Sequence, residues 1–164
     1  MSKSREHLLL ANFPDDNYAN AFILRHLIIT ASHVAQASLD IMTHDKSEIG
    51  QFSYQHLPEK DLALSQQQVP SKGYELGPTP IIGDKVIVCG HHGINQHYFE
   101  IRATVIGFDN RNRIIIKREK GKIFQLGMSG CPVLNQDMQV IGVLVEGVIG
   151  TEGNQVYLEQ ITLT

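Results

Sequence analysis

Two cysteines, Cys89 and Cys131, are too few for a disulfide framework, and a chain with so few fits a reducing compartment. No apolar run approaches the ~20 residues of a membrane span. The only apolar stretch near the N-terminus, Leu8 to Ala11, is too short for a signal peptide and lacks its cleavage pattern, so the expected location is the cytoplasm. There is no Gly-x-Gly-x-x-Gly, no phosphate loop, no internal repeat and no low-complexity segment. Charge is scarce as well. Charged residues make up 19% and the net charge is -3, which argues against a nucleic-acid or anionic-membrane partner.

What the chain does have is 164 residues with a 42% apolar fraction, enough for one domain or two small lobes sharing an interface. Short apolar runs, many of them β-branched, are separated by turn residues. Ile28-Ile29-Thr30, Val86-Ile87-Val88 and Ile114-Ile115-Ile116 are strand-like, and Pro14 to Asn17, Gly83-Asp84, Asp109 to Asn112 and Gly150 to Asn154 read as turns. Regular spacing of short strands predicts an all-β barrel or sandwich. Helical pattern is confined to about one turn near Val34–Ser38. The polar, Pro/Gly-containing stretch around residues 65–80 is the best linker between lobes. The division expected is 1–70, a linker 71–80, and 81–164.

Three segments carry candidate chemistry. Leu27-Ile28-Ile29-Thr30-Ala31-Ser32-His33-Val34 is a β-branched strand running into small residues and a histidine. Asp61-Leu62-Ala63-Leu64 places an aspartate at the head of a strand. Gly127-Met128-Ser129-Gly130-Cys131-Pro132-Val133 sets a serine between glycines, where the backbone can bend sharply and expose a hydroxyl beside its own N–H groups. Each alone reads equally well as structure: a surface histidine, a turn aspartate, an ordinary Gly/Ser/Pro turn. Together they stand in the order His, Asp, Ser, one of the orders in which catalytic triads are built.

These segments resemble the histidine, aspartate and nucleophile motifs of trypsin/chymotrypsin-like serine peptidases, specifically their compact, disulfide-free bacterial and viral-type members. The resemblance spans about Ala21 to Tyr157. It implies an all-β fold of two antiparallel Greek-key β-barrels with the active site in the cleft between them. His33 and Asp61 would come from the first barrel and Ser129 from the second. The separations, 61 − 33 = 28 and 129 − 61 = 68, are short for the family, so loops are trimmed.

By the same resemblance Ser129 is the nucleophile, His33 the general base and Asp61 its orienting partner. The N–H groups of Gly127 and Ser129 form the oxyanion hole. Ile123 matches the base of the S1 pocket and Phe124 lines it. Val145-Glu146-Gly147 matches the strand that pairs with substrate backbone, and Gln155 another pocket wall. An apolar or small uncharged P1 residue is implied, and Glu146 offers a contact for a basic residue elsewhere in the substrate. Met128 stands where many members carry the aspartate that pairs with a freshly cleaved N-terminus, and Cys131 replaces a common glycine.

The expected activity is that of a serine endopeptidase on protein or peptide substrates, with no cofactor and no metal. Signal-less compact members suggest an effector of a bacterial defence or signalling system, fused to or triggered by a sensor or activator. The rival class is an inactive protease-like module that docks an extended peptide without cutting it. A second candidate site, Cys89, His91, His92 and His97, has zinc-ligand types, but the spacing matches no closed structural pattern.

Overall fold

Alternation decides the architecture. In β9 (Tyr98–Phe108) Phe99, Ile101, Ala103 and Val105 are buried while Glu100 and Arg102 are exposed, the two-residue period of a strand with one face on a core. The computed structural model describes residues 7–38, 40–43, 45, 47–57, 59–93, 97–120, 123–125 and 127–162. Within them β9 belongs to a closed six-stranded antiparallel barrel. The other members are β8 (Lys85–His91), β10 (Ile114–Arg118), β11 (Pro132–Leu134), β12 (Val140–Gly147) and β13 (Gln155–Glu159), in the order β10-β13-β12-β11-β8-β9.

The N-terminal half forms a seven-stranded antiparallel sheet. Its strands are β1 (Leu8–Asn12), β2 (Tyr18–Leu24), β3 (Leu27–Thr30), β4 (Asp40–Thr43), β5 (Glu48–Gly50), β6 (Tyr54–His56) and β7 (Ala63–Ser65). The order β5-β4-β1-β2-β3-β7-β6 leaves β5 and β6 as edges, so this sheet is a curled half-barrel beside a closed one. One short helix, α1 (Ser32–Ala37), follows β3. This is the two-barrel, all-β arrangement expected from the sequence.

Two strands break the alternation. β2 and β12 are buried on both faces, apart from the half-exposed Tyr18 and the exposed Glu146 and Gly147. A strand covered on both sides sits between two packed layers, and side chains of both strands enter the core cluster where the halves join. One core cluster is shared: Phe22, Leu24, Ile29 and Leu62 pack with Cys89, Leu134, Val140 and Val143. The connecting segment threads the same seam, bridging Leu24 to Tyr74 and Leu76 to Val140.

β4, β5 and β6 carry none of the three-residue β-branched runs that mark strands in the sequence. Asp40–Thr43 pairs with β1, and Tyr54–His56 with β7. Pairing with a neighbour, not local pattern, makes these segments strands. Among the described residues no helix is long and apolar enough to cross a membrane.

Candidate active site

The end of β3 fixes where His33 goes. Ala31 is extended (φ −71°, ψ 144°) and Ser32 opens α1, so His33 is carried out of the sheet onto the first helical turn. Asp61 meets it there. Its Oδ2 lies 2.5 Å from His33 Nδ1, and its Oδ1 accepts the His33 backbone N–H at 2.9 Å. Its carbonyl accepts the Ser32 N–H at 3.1 Å. One carboxylate thus holds both ring and backbone of the histidine. Nδ1 is committed as donor, and Nε2 is left as the basic nitrogen.

This pair is polarised. The hydrogen bond His33 donates to Asp61 raises the His33 pKa above its ordinary 6.5; partial burial works the other way, and the charges of Asp61 and Glu146 add to the rise. For Asp61, burial pushes the carboxyl up, but the hydrogen bonds from the His33 side chain and the His33 and Ser32 backbones outweigh it, and the net pKa is below 3.8.

Ser129 comes from the other half, on the turn before β11. Gly127 (φ 87°) and Gly130 (φ 91°) take left-handed backbone that favours glycine. A Cβ on Gly130 would stand 1.8 Å from the Asn20 carbonyl oxygen. The turn is therefore glycine-only on its far side for two independent reasons. The Ser129 hydroxyl donates to Val145 O at 3.2 Å, and no hydrogen bond joins it to His33 among the described residues. The N–H groups of Gly127 and Ser129 are taken by no backbone carbonyl among the described residues.

His33, Asp61 and Ser129 line one open cleft of ≈ 530 Å³ between the halves. Phe124, Val145, Glu146, Gly147 and Gln155 line it too, together with Gln125, Leu144, Gly153 and Val156, which sequence reasoning did not single out. Ile123 is 42% exposed and stands beside Gly153, outside that lining. Glu146 is met by Arg113, whose guanidinium also binds Asp109 (2.8 Å) and lies 3.9 Å over the Tyr157 ring. The Glu146 charge facing the cleft is thus already paired.

Met128 is fully buried in the second barrel's core, and its sulfur accepts the Gln125 N–H at 3.3 Å. No charge anchors this side of the turn. Cys131 is fully buried, and burial raises its thiol well above 9.0, which makes it an inert packed side chain. Cys89 is buried as well, its thiol pushed up to about 12 by burial. Among the described residues no group of three His, Cys, Asp or Glu side chains is arranged to hold a metal ion.

Two residues with no sequence signal complete the site. Glu159, 2% exposed at the end of β13, accepts the Asp61 backbone N–H at 3.1 Å, and Lys60 Nζ reaches the Gln160 carbonyl at 2.8 Å. Asn20, 1% exposed in β2, ties the serine turn to the first half. Both are unremarkable polar residues in strand-like runs. The meeting of the two halves brings each its partners in the site.

No known family model matches this chain, and no curated protein matches it by sequence. Its fold does match solved structures. The Rv3671c protease of M. tuberculosis in its active form superposes with a TM-score of 0.75 at 16% identity, covering 97% of this chain and 78% of that one. Kallikrein-related peptidase 10, solved in complex with Zn2+, gives 0.79 at 18% identity over 96% and 91% of the two chains. A serine protease of a human pathogenic astrovirus gives 0.69 at 18% identity over 96% and 91%. The fold is that of the trypsin-like serine proteases.

Proposed function

With that fold as premise, we propose that this chain is a serine endopeptidase working through His33, Asp61 and Ser129. The observation that carries the reading is the doubly bonded His33–Asp61 pair facing the same cleft as a serine held between two left-handed glycines. Structural likeness at these identities concerns the fold; the activity rests on the cleft.

The chemistry follows from the geometry. A serine hydroxyl is a poor nucleophile until a base takes its proton. The reaction requires Ser129 Oγ to leave Val145 O for His33 Nε2, which accepts the proton as Oγ attacks the peptide carbonyl. Asp61 holds the tautomer and stabilises the imidazolium. The tetrahedral oxyanion is received by the Gly127 and Ser129 N–H groups. His33 then protonates the leaving amine, and water hydrolyses the acyl-enzyme by the same path.

The substrate is an extended peptide laid against Val145-Glu146-Gly147, a strand-addition mode. Phe124, Gly153 and Val156 give the cleft apolar or small walls, and the two acids in its described lining, Asp61 and Glu146, are paired with His33 and Arg113, so the preferred P1 residue is apolar or small and uncharged. With Glu146 paired to Arg113, a basic substrate residue gains little there.

Two measurements test this. A fluorophosphonate probe labels the wild-type protein and not Ser129→Ala, with a kcat loss on the order of 10⁶ for that substitution. Absence of wild-type labelling removes the peptidase reading and leaves a peptide-docking module. Profiling cleavage of a peptide library places apolar or small residues at P1, and preferential cleavage after Arg or Lys would refute the pocket assignment.

A further inference from the structure

The geometry points to Asn20 as the positioning residue of the oxyanion turn, acting on it from across the barrel seam. The inference rests on the peptidase reading and deepens it. Every polar group of Asn20 is used. Its side-chain amide donates to Gly127 O and to His91 O, both at 2.9 Å, and its Oδ1 accepts the His91 N–H at 2.8 Å. Its backbone N–H donates to Ser129 O at 3.1 Å, and its carbonyl accepts the Thr30 hydroxyl at 2.7 Å.

A trans peptide points its C=O and N–H in opposite directions. Holding a carbonyl therefore aims the N–H of the same peptide. Three successive carbonyls of the turn are held: Gly127 O by the Asn20 side chain, Met128 O by Cys131 N–H (3.3 Å), and Ser129 O by the Asn20 backbone. The Met128 carbonyl turned toward Cys131 sends the Ser129 N–H the other way. The Ser129–Gly130 peptide is clamped at both ends, its N–H donating to Leu144 O at 2.8 Å. Asn20 supplies two of the three carbonyl anchors from the opposite half of the molecule; they lie on the peptides that flank the one carrying the Ser129 N–H, so Asn20 sets that donor's direction by fixing its neighbours on both sides.

The close fit confirms that the contact is built in. A Cβ on Gly90 would come within 2.7 Å of Asn20 Oδ1, as one on Gly130 would strike the Asn20 carbonyl. Met128, buried in the barrel core, contributes no charge that could anchor the turn. Thr30 lies three residues before His33, so one chain of hydrogen bonds runs from the histidine's strand through Asn20 to the nucleophile's turn.

The test is Asn20→Asp, which keeps Oδ1 and the side-chain shape but places an oxygen against Gly127 O and His91 O. Active-site titration counts competent sites, and turnover is expressed per titrated site. The expected result is a kcat per site lowered about 10²–10³-fold, the scale of losing an oxyanion donor, with KM within threefold. Ile23→Val on the same strand, a destabilising control, keeps its kcat per site.

A loss confined to titre or melting temperature, with kcat per site unchanged, overturns the inference, since a merely structural role would give that. Should the aspartate variant not fold, Asn20→Ser is read by the same criteria. If the wild type is not labelled by the fluorophosphonate, the peptidase reading has failed, and the positioning role is then decided by amide NMR. Displaced or doubled resonances of Gly127 to Gly130 in the Asn20 variant, with β12 unperturbed, uphold it; coincident spectra overturn it.

Discussion

On the proposed mechanism His33 governs the pH dependence. Catalysis needs its imidazole neutral, and the Asp61 hydrogen bond holds the proton on above the ordinary 6.5. The acid limb of kcat/KM therefore has its midpoint above 6.5, and activity rises as pH passes through it. Glu146 adds to that shift, so Glu146→Gln moves the limb to lower pH; a limb that stays put would refute this electrostatic coupling. The sign is the reverse for stability. The raised His33 pKa contributes stability present below 6.5 and lost as pH rises through the folded value. The lowered Asp61 pKa contributes stability present above 3.8 and lost as pH falls through its folded value. Glu159 acts at the same scale. Glu159→Ala removes the acceptor of the part-buried Asp61 N–H, with an expected cost of about 0.5–1.5 kcal/mol in urea unfolding. Glu159→Gln, which retains an acceptor, recovers most of it.

At the level of elements, the site is a strand-end device. β3 stops where Ser32 starts α1, and this delivers His33; β11 starts after Gly130, and this delivers Ser129. The elements meet because most of β2 and β12 is buried on both faces and both strands contribute to the core cluster at the seam. The turn tolerates little change. Gly130→Ala meets both a φ of 91° and a Cβ position 1.8 Å from Asn20 O. Left-handed strain and overpacking together are expected to cost about 2–5 kcal/mol. Activity per folded molecule should fall as well, since the turn must move off Asn20. Thermal unfolding alongside active-site titration separates the two losses, and a variant with wild-type stability would contradict the fit described.

Across the whole molecule, the halves share a core rather than merely touching. Phe22, Leu24 and Leu62 pack with Leu134, Val140 and Val143, and Asn20, Lys60 and Asp61 reach across in hydrogen bonds. The expected result of calorimetry is a single transition whose calorimetric and van't Hoff enthalpies agree. Two resolved transitions would mean that the seam is weaker than its packing implies.

The fold class was legible because β-branched runs separated by turn residues admit little except short strands, and β9 keeps its two-residue period over eleven residues. The triad candidates were legible because their motifs are local: a strand ending in small residues, an aspartate heading a strand, a serine between glycines. Sequence alone therefore settled the kind of scaffold and put forward the residues proposed to do chemistry on it. Tertiary structure decided the rest. It made strands of Asp40–Thr43 and Tyr54–His56, whose partners lie elsewhere in the chain. It turned the Ser129 hydroxyl toward Val145 and paired Glu146 with Arg113. It gave Glu159 and Asn20 their tasks. Those partners lie 98 residues from Glu159 and 107 from Asn20 along the chain, and a hydrogen bond across such a separation leaves no local pattern to read.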